Sequence, residues 1–137
     1  MAIQSAGAPV DDNSSGFGSL EYAFLGDAVY EQFIRHKLLM SGNVKVAALG
    51  DAASELACAE MQAELARAVQ PFLSPLEQDI LRRGRNAKPR RQPRGDIAAY
   101  RMATGLEALL GYLSLSGADA RLGEILEHLW QLARQLK

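Results

Sequence analysis

Two acids stand where helix-forming sequence would not ordinarily put them. In "EYAFLGDAVYEQFIRHKLL", residues 21 to 39, Asp27 follows Gly26 near the middle of an apolar, helix-favouring run. A carboxylate at that depth is too far from the helix start to cap it or to complement the dipole. In "YRMATGLEALLGYLSL", Glu107 is again mid-run, with the small residues Ala103, Thr104, Gly111 and Ser114 on its face. At about 100° per residue, Asp27 shares a face with Leu20, Ala23, Phe24, Glu31 and Ile34. Two carboxylates in grooves of small residues repel one another unless a cation or a proton lies between them. Two or three carboxylate oxygens with room for water is how Mg2+ is held, because that ion dehydrates reluctantly. Asp27 and Glu107 are therefore the candidate catalytic and metal-holding acids, provided the two helices pack together. Glu31, one turn beyond Asp27, is a further candidate oxygen ligand. The plainer alternative is that Asp27 pairs with an arginine of another helix or faces solvent.

The elements that must position these acids read as helices. Hydrophobic residues make up 48% of the chain and aromatics 7%, with Ala and Leu prominent. That balance favours helix over sheet. A first helix opens at Ser19 or Leu20 and ends near Met40, before the turn signal "SGN". A short helix is expected near 44–50 and a longer one near 52–69, separated at Gly50-Asp51 and closed by Pro71. "SPLE" at 74–77 reads as a capping box with Pro75 in the first turn, opening a helix to about Arg83. Helix resumes from Ile97 to about Leu115, "SGAD" turns the chain, and an amphipathic helix ends it. No strict alternation marks a strand. The expectation is an all-α bundle of one domain, residues 19–137, behind a polar flexible leader over 1–18.

Between 84 and 96 lies a segment rich in Gly, Pro and Arg without apolar periodicity, read as a long loop. Arg82, Arg83, Arg85, Lys88, Arg90, Arg91 and Arg94 put seven of the fifteen Lys and Arg into thirteen positions that hold no acid. The rest of the chain carries eight basic residues against sixteen acidic ones, so the net charge of −1 hides a basic segment on an acidic body. Cys58 is the only cysteine, which excludes an intrachain disulfide or a cysteine-based zinc site and favours a reducing compartment. No apolar run approaches a membrane span, and the first basic residue is Arg35, unlike a signal or transit peptide. His36 and His128 have no metal-ligand spacing, and Cys58, Met61 and Trp130 read as core residues.

"FLGDAVYE", then "RRGRNAK", then "YRMATGLEALLGYLSL" resembles Mini-ribonuclease III. These are small members of the ribonuclease III class without the separate double-stranded-RNA-binding domain. The resemblance runs from Leu20 to about Leu129, with three motifs in the right order. It implies an all-helical, homodimeric, Mg2+-dependent endonuclease acting on double-stranded RNA and maturing the 23S ribosomal RNA precursor in the cytoplasm or, in a plant, the plastid stroma. A large-subunit ribosomal protein is a candidate presenter of that substrate. Asp27 falls on the signature aspartate and Glu107 on the glutamate of "EALLG". Full-length ribonuclease III enzymes carry two further acids, where this chain has Ala23 and Thr104; the Mini branch lacks them too. With no second domain to bind RNA, Arg82, Arg83, Arg85, Asn86, Lys88, Arg90, Arg91 and Arg94 are the expected RNA-binding residues, through phosphate contacts. Tyr100, Arg101, His36 and Lys37 are candidate extensions of that surface. The rival expectation is a non-catalytic RNA-binding module of the same fold.

Overall fold

The computed structural model describes residues 16–89 and 91–136. The segment before Gly16 and Arg90 therefore lie outside the described residues, and with them most of the expected leader. Among these residues six α-helices follow in order: α1 (Ser19–Ser41), α2 (Leu49–Ala57), α3 (Ala59–Val69), α4 (Pro75–Asn86), α5 (Ile97–Leu115) and α6 (Asp119–Leu136). Short 3-10 turns at Val46–Ala48 and Gln70–Phe72 join them, and no strand occurs among the described residues. The expected all-α class is what the fold shows.

Helix α5 runs through the centre. It packs against α1, α3, α4 and α6. Leu106, Ala108, Leu109 and Leu110 are completely buried, as its Ala- and Leu-rich sequence with little charge would require. Its start is set by Asp96, whose carboxylate accepts from the Ala99 N–H at 3.1 Å. Helix α4 begins as its sequence dictates. Ser74 Oγ accepts from the Glu77 N–H at 3.2 Å, and Glu77 Oε1 accepts from the Ser74 N–H at 2.8 Å. Glu77 is buried, and Arg121 of α6 answers it with two 2.8 Å hydrogen bonds while a third goes to the Phe72 carbonyl. Burial pushes the Glu77 carboxyl up, but the Arg121 and Ser74 hydrogen bonds outweigh it and hold the group below its ordinary value.

Two elements differ from the sequence expectation. The break between the second and third helices falls at Cys58, which is extended (φ −68°, ψ 157°), and not at Gly50-Asp51. Asp51 sits in the first turn of α2, where a carboxylate suits the helix dipole, so the pair helps start that helix. Helix α4 continues past Arg83 to Asn86. Gly84 is held in the helix by contact with α5: a Cβ there would lie 2.8 Å from Ala108 Cβ and 2.9 Å from Gly105 Cα. Cys58 is exposed and not a core residue, because it occupies the corner between two helices. Met61 and Trp130 are partly buried against the core, as expected.

Candidate active site

The acids meet because α1 and α5 touch backbone to backbone. A Cβ on Gly26 would lie 1.7 Å from the Glu107 carbonyl oxygen, and one on Gly111 would lie 1.8 Å from that of Tyr22. Reciprocal glycines, one on each helix, remove the side chains that would hold the axes apart. Asp27 follows Gly26 directly, so this crossing delivers its carboxylate to Glu107, and the two side chains hydrogen-bond. Asp27 is exposed and Glu107 is half-buried. One acid thus faces the solvent side of the pair and the other anchors it in the fold.

Two carboxyl groups this close cannot share a bond with both ionised. Burial, then the Asp27 charge and the hydrogen bond with Asp27, push the Glu107 carboxyl up to about 8, against a weaker opposing bond from Gln62. In the unfolded chain Glu107 returns to its ordinary value of 4.5. Between those two values the folded state binds more protons, so stability falls as pH rises through the window. The expected slope from this group in metal-free protein is about −1.4 kcal/mol per pH unit, flattening above pH 8. Melting curves from pH 5 to 9, with Glu107→Gln as control, check this: the variant should lose the slope. Equal slopes in both proteins would take Glu107 out of the effect.

Such a pair fits a hard divalent cation, whose charge would replace the proton between the oxygens. Among the described residues no group of three or more His, Cys, Asp or Glu lies close enough to hold one ion. Glu31 is accordingly not brought into a cluster with the pair; its nearest cation is Arg35, at 3.9 Å. The two positions that carry acids in full-length ribonuclease III are occupied inertly. Ala23 is buried, and the Thr104 hydroxyl donates to the Tyr100 carbonyl at 3.0 Å.

Behind the acids lie two residues the sequence reading passed over. Tyr30, fully buried one turn beyond Asp27, donates its hydroxyl to the Leu56 carbonyl at 2.6 Å. Burial, with Cys58, Glu107 and Glu31 adding to it, pushes that phenol up, so it remains a donor. Gln62 of α3 is 2% exposed, donates from Nε2 to the Ala57 carbonyl at 2.9 Å, and opposes the upward push on the Glu107 carboxyl. The available signal was a polar residue in the apolar row Gln62, Leu65, Ala66, Val69.

The expected RNA-binding residues separate into two groups. Arg82, Arg83, Arg85 and Asn86 stand on α4, not in a loop. Lys88, Arg91 and Arg94 are exposed in the connection to α5, and Arg90 lies outside the described residues. Asp79, one turn upstream, pairs with both Arg82 and Arg83. Arg82, Arg83 and Asn86 line a cleft against Gly18, Ser19, Leu20 and Glu21 at the start of α1. Tyr100 and Arg101 are exposed at the start of α5, and His36 is exposed. Lys37 is engaged by Glu127 and lies 5.5 Å from the Phe33 ring.

The described architecture is matched by known proteins. The model of the Ribonuclease III domain matches residues 20–118. The chain belongs to the ribonuclease III family. Within it, the chain is 46% identical over 109 residues to Mini-ribonuclease 3 of Symbiobacterium thermophilum, covering 79% of this chain and 84% of that one. It is 47% identical over 109 residues to Mini-ribonuclease 3 of Thermoanaerobacter sp. strain X514, with coverage of 79% and 77%. The crystal structure of protein FN1578 from Fusobacterium nucleatum superposes with a TM-score of 0.74 at 24% identity, covering 88% of this chain and 98% of that one; this likeness bears on the fold. The Mini-ribonuclease III resemblance read from the motifs is thereby borne out, and the chain is an endoribonuclease. Among the described residues no helix is long and apolar enough to cross a membrane.

Proposed function

We propose that this endoribonuclease cuts double-stranded RNA with Mg2+, using Asp27 and Glu107 as its acids. The observation that carries the reading is the pair itself: two carboxyl side chains from distant parts of the chain, hydrogen-bonded to one another, one half-buried and one open to solvent. When bound, the divalent cation would supply a nucleophile by acidifying water and would offset charge on the phosphoryl group. Glu107, anchored on the central helix, would hold it as a carboxylate together with Asp27. Asp27, on the exposed side, presents the other carboxylate where a phosphodiester can approach. Cleavage leaves 5′-phosphate and 3′-hydroxyl ends. The basic end of α4 and the connection to Asp96 hold the duplex through its phosphates, with Lys88, Arg91 and Arg94 free of the Asp79 pairing that occupies Arg82 and Arg83.

The active form is a homodimer. Phe24 is 85% exposed and stands on the Asp27 face of α1, and Val46 is 86% exposed. Large apolar side chains that open to water mark a surface to be covered. Tyr22, Val29 and Phe33, on the opposite side of α1, are turned into the core, which leaves the Phe24 side for the partner. Two sites across the dimer cut the two strands. The substrate is the 23S ribosomal RNA precursor in the cytoplasm, with a large-subunit ribosomal protein as its presenter.

Incubating purified protein with a duplex stem of precursor ribosomal RNA, with Mg2+ or with EDTA, tests the reading. Cleavage of the duplex in Mg2+ alone, sparing a single strand of the same sequence, is the expected result. Tight duplex binding without cleavage in any divalent cation would instead make the chain a non-catalytic RNA-binding module.

A further inference from the structure

The basic segment is not evenly open to an anion. Three acids flank it in sequence, Glu77, Asp79 and Asp96. Glu77 is committed to Ser74 and Arg121, and Asp96 to the cap of α5. Asp79 is turned to the basic residues instead. Its Oδ1 accepts from Arg82 Nη2, and its Oδ2 pairs with Arg83 Nε at 3.0 Å. One carboxylate thus sets two successive guanidinium groups side by side, each oxygen taken by a different one. Guanidinium groups bind carboxylate and phosphate oxygens through the same donors. The carboxylate therefore stands where two non-bridging oxygens of a phosphodiester would. With Asn86, the two arginines line the cleft against Gly18, Ser19, Leu20 and Glu21. Glu21, the acid across that cleft, accepts through Oε1 from the Gly18 N–H. A staple for α4 would need one such pair, and Gly84 packed on α5 already holds that turn.

We propose that Asp79 is an internal competitor for RNA phosphate, which occupies Arg82 and Arg83 and so restrains the duplex affinity of the basic segment. This inference rests on the reading of that segment as the surface that holds the duplex. The Arg82 and Arg83 side chains are 55% and 41% exposed, and that of Asp79 is 31% exposed. Ion pairs so open to water are weak, and a strand phosphate can displace the carboxylate without disturbing the fold. Asp79 then remains as an unpaired negative charge beside the strand, and its repulsion subtracts from binding. The contact is to phosphate, so the restraint acts on every duplex alike and not on base sequence.

The test uses Asp79→Asn, which removes the charge and keeps the size. Binding of a fluorescein-labelled RNA duplex is followed by anisotropy across a salt series, in EDTA to prevent metal-dependent cleavage. The expected result is a retained helical spectrum and binding about 3- to 10-fold tighter at low salt, the scale of releasing two exposed ion pairs. Affinity should also fall more steeply with log salt, by roughly one further unit of slope. Glu60→Gln makes the same change of net charge at an exposed position in the first turn of α3 and should stay within about 2-fold of wild type, because salt screens remote charges. Equal tightening in Glu60→Gln would make the effect one of net charge and overturn the assignment. In a protein already carrying Arg82→Gln and Arg83→Gln, Asp79→Asn should gain nothing, and a gain that persists there would overturn it too. So would unchanged or weaker binding by Asp79→Asn, the latter meaning that the carboxylate presents the arginines to phosphate. Wild-type protein that binds no duplex at low salt would overturn the RNA-holding reading and this inference with it. Should Asp79→Asn lose its helical signal, Asp79→Ala replaces it with a better helix former; loss in both would mean that the carboxylate serves the fold, and the assignment would fall.

Discussion

Glu107→Gln and Asp27→Asn each lower turnover on duplex RNA by at least about 100-fold, the scale set by removing one preorganised electrostatic stabiliser, while the helical circular dichroism signal persists. The fold survives because neither carboxylate holds the helices together; the glycine crossing does. In the absence of metal the Glu107→Gln protein should melt no lower than wild type above neutral pH. The variant removes a half-buried carboxyl that Asp27 opposes. Turnover at saturating Mg2+ and melting curves measured on the same preparations check both halves. Unimpaired cleavage by either variant would remove that residue from the site, and loss of the helical signal would mean that the acids serve the fold.

The largest effect on stability is expected from the glycines of that crossing. Gly26→Ala puts a methyl group 1.7 Å from the Glu107 carbonyl oxygen, and Gly111→Ala puts one 1.8 Å from that of Tyr22. The obstacle is backbone in both cases, so no side chain can rotate away. Overpacking typically costs 1–3 kcal/mol and sometimes more; parting two helix axes at the centre of the core belongs at or above the upper end, about 3 kcal/mol. For a chain of this size that lowers the melting temperature by roughly 10 °C. Gly50 and Gly123 supply the control, since a Cβ at either meets nothing within 4 Å. Alanine there should stabilise by about 0.5–1 kcal/mol through helix propensity. Melts of the four variants decide the matter: if Gly26→Ala melted like Gly123→Ala, the close crossing would be absent in solution.

Much of this arrangement was legible in the sequence where local chemistry and tertiary packing agree. Helix α5 runs over Ile97–Leu115 as read, because Asp96 caps it and its apolar interior, free of proline, outweighs Gly105 and Gly111. The Ser74–Glu77 box forms as written. Asp27 and Glu107 could be paired in advance because small residues flank both. The corner at Cys58 was not legible. Nothing at Cys58 itself breaks a helix; the corner is held by Tyr30 of α1 on the Leu56 carbonyl and by Gln62, one turn into α3, on the Ala57 carbonyl. Gly50-Asp51 drew the break wrongly because the same dipeptide that can end a helix also suits its first turn. Gly84 misled for a related reason. It looks like the start of a loop, yet it is the residue that lets α4 lie on Gly105 and Ala108, and this contact carries Arg85 and Asn86 into the helix. Gln62 was overlooked because one amide in an apolar row says nothing about which carbonyl it will meet.

The innermost helix bears Glu107, with fully buried leucines on either side of it in the chain. A carboxyl mounted on the helix that the others pack around has no loosened, half-placed setting. Heating should therefore part Glu107 from Asp27 and dissolve the core as one event.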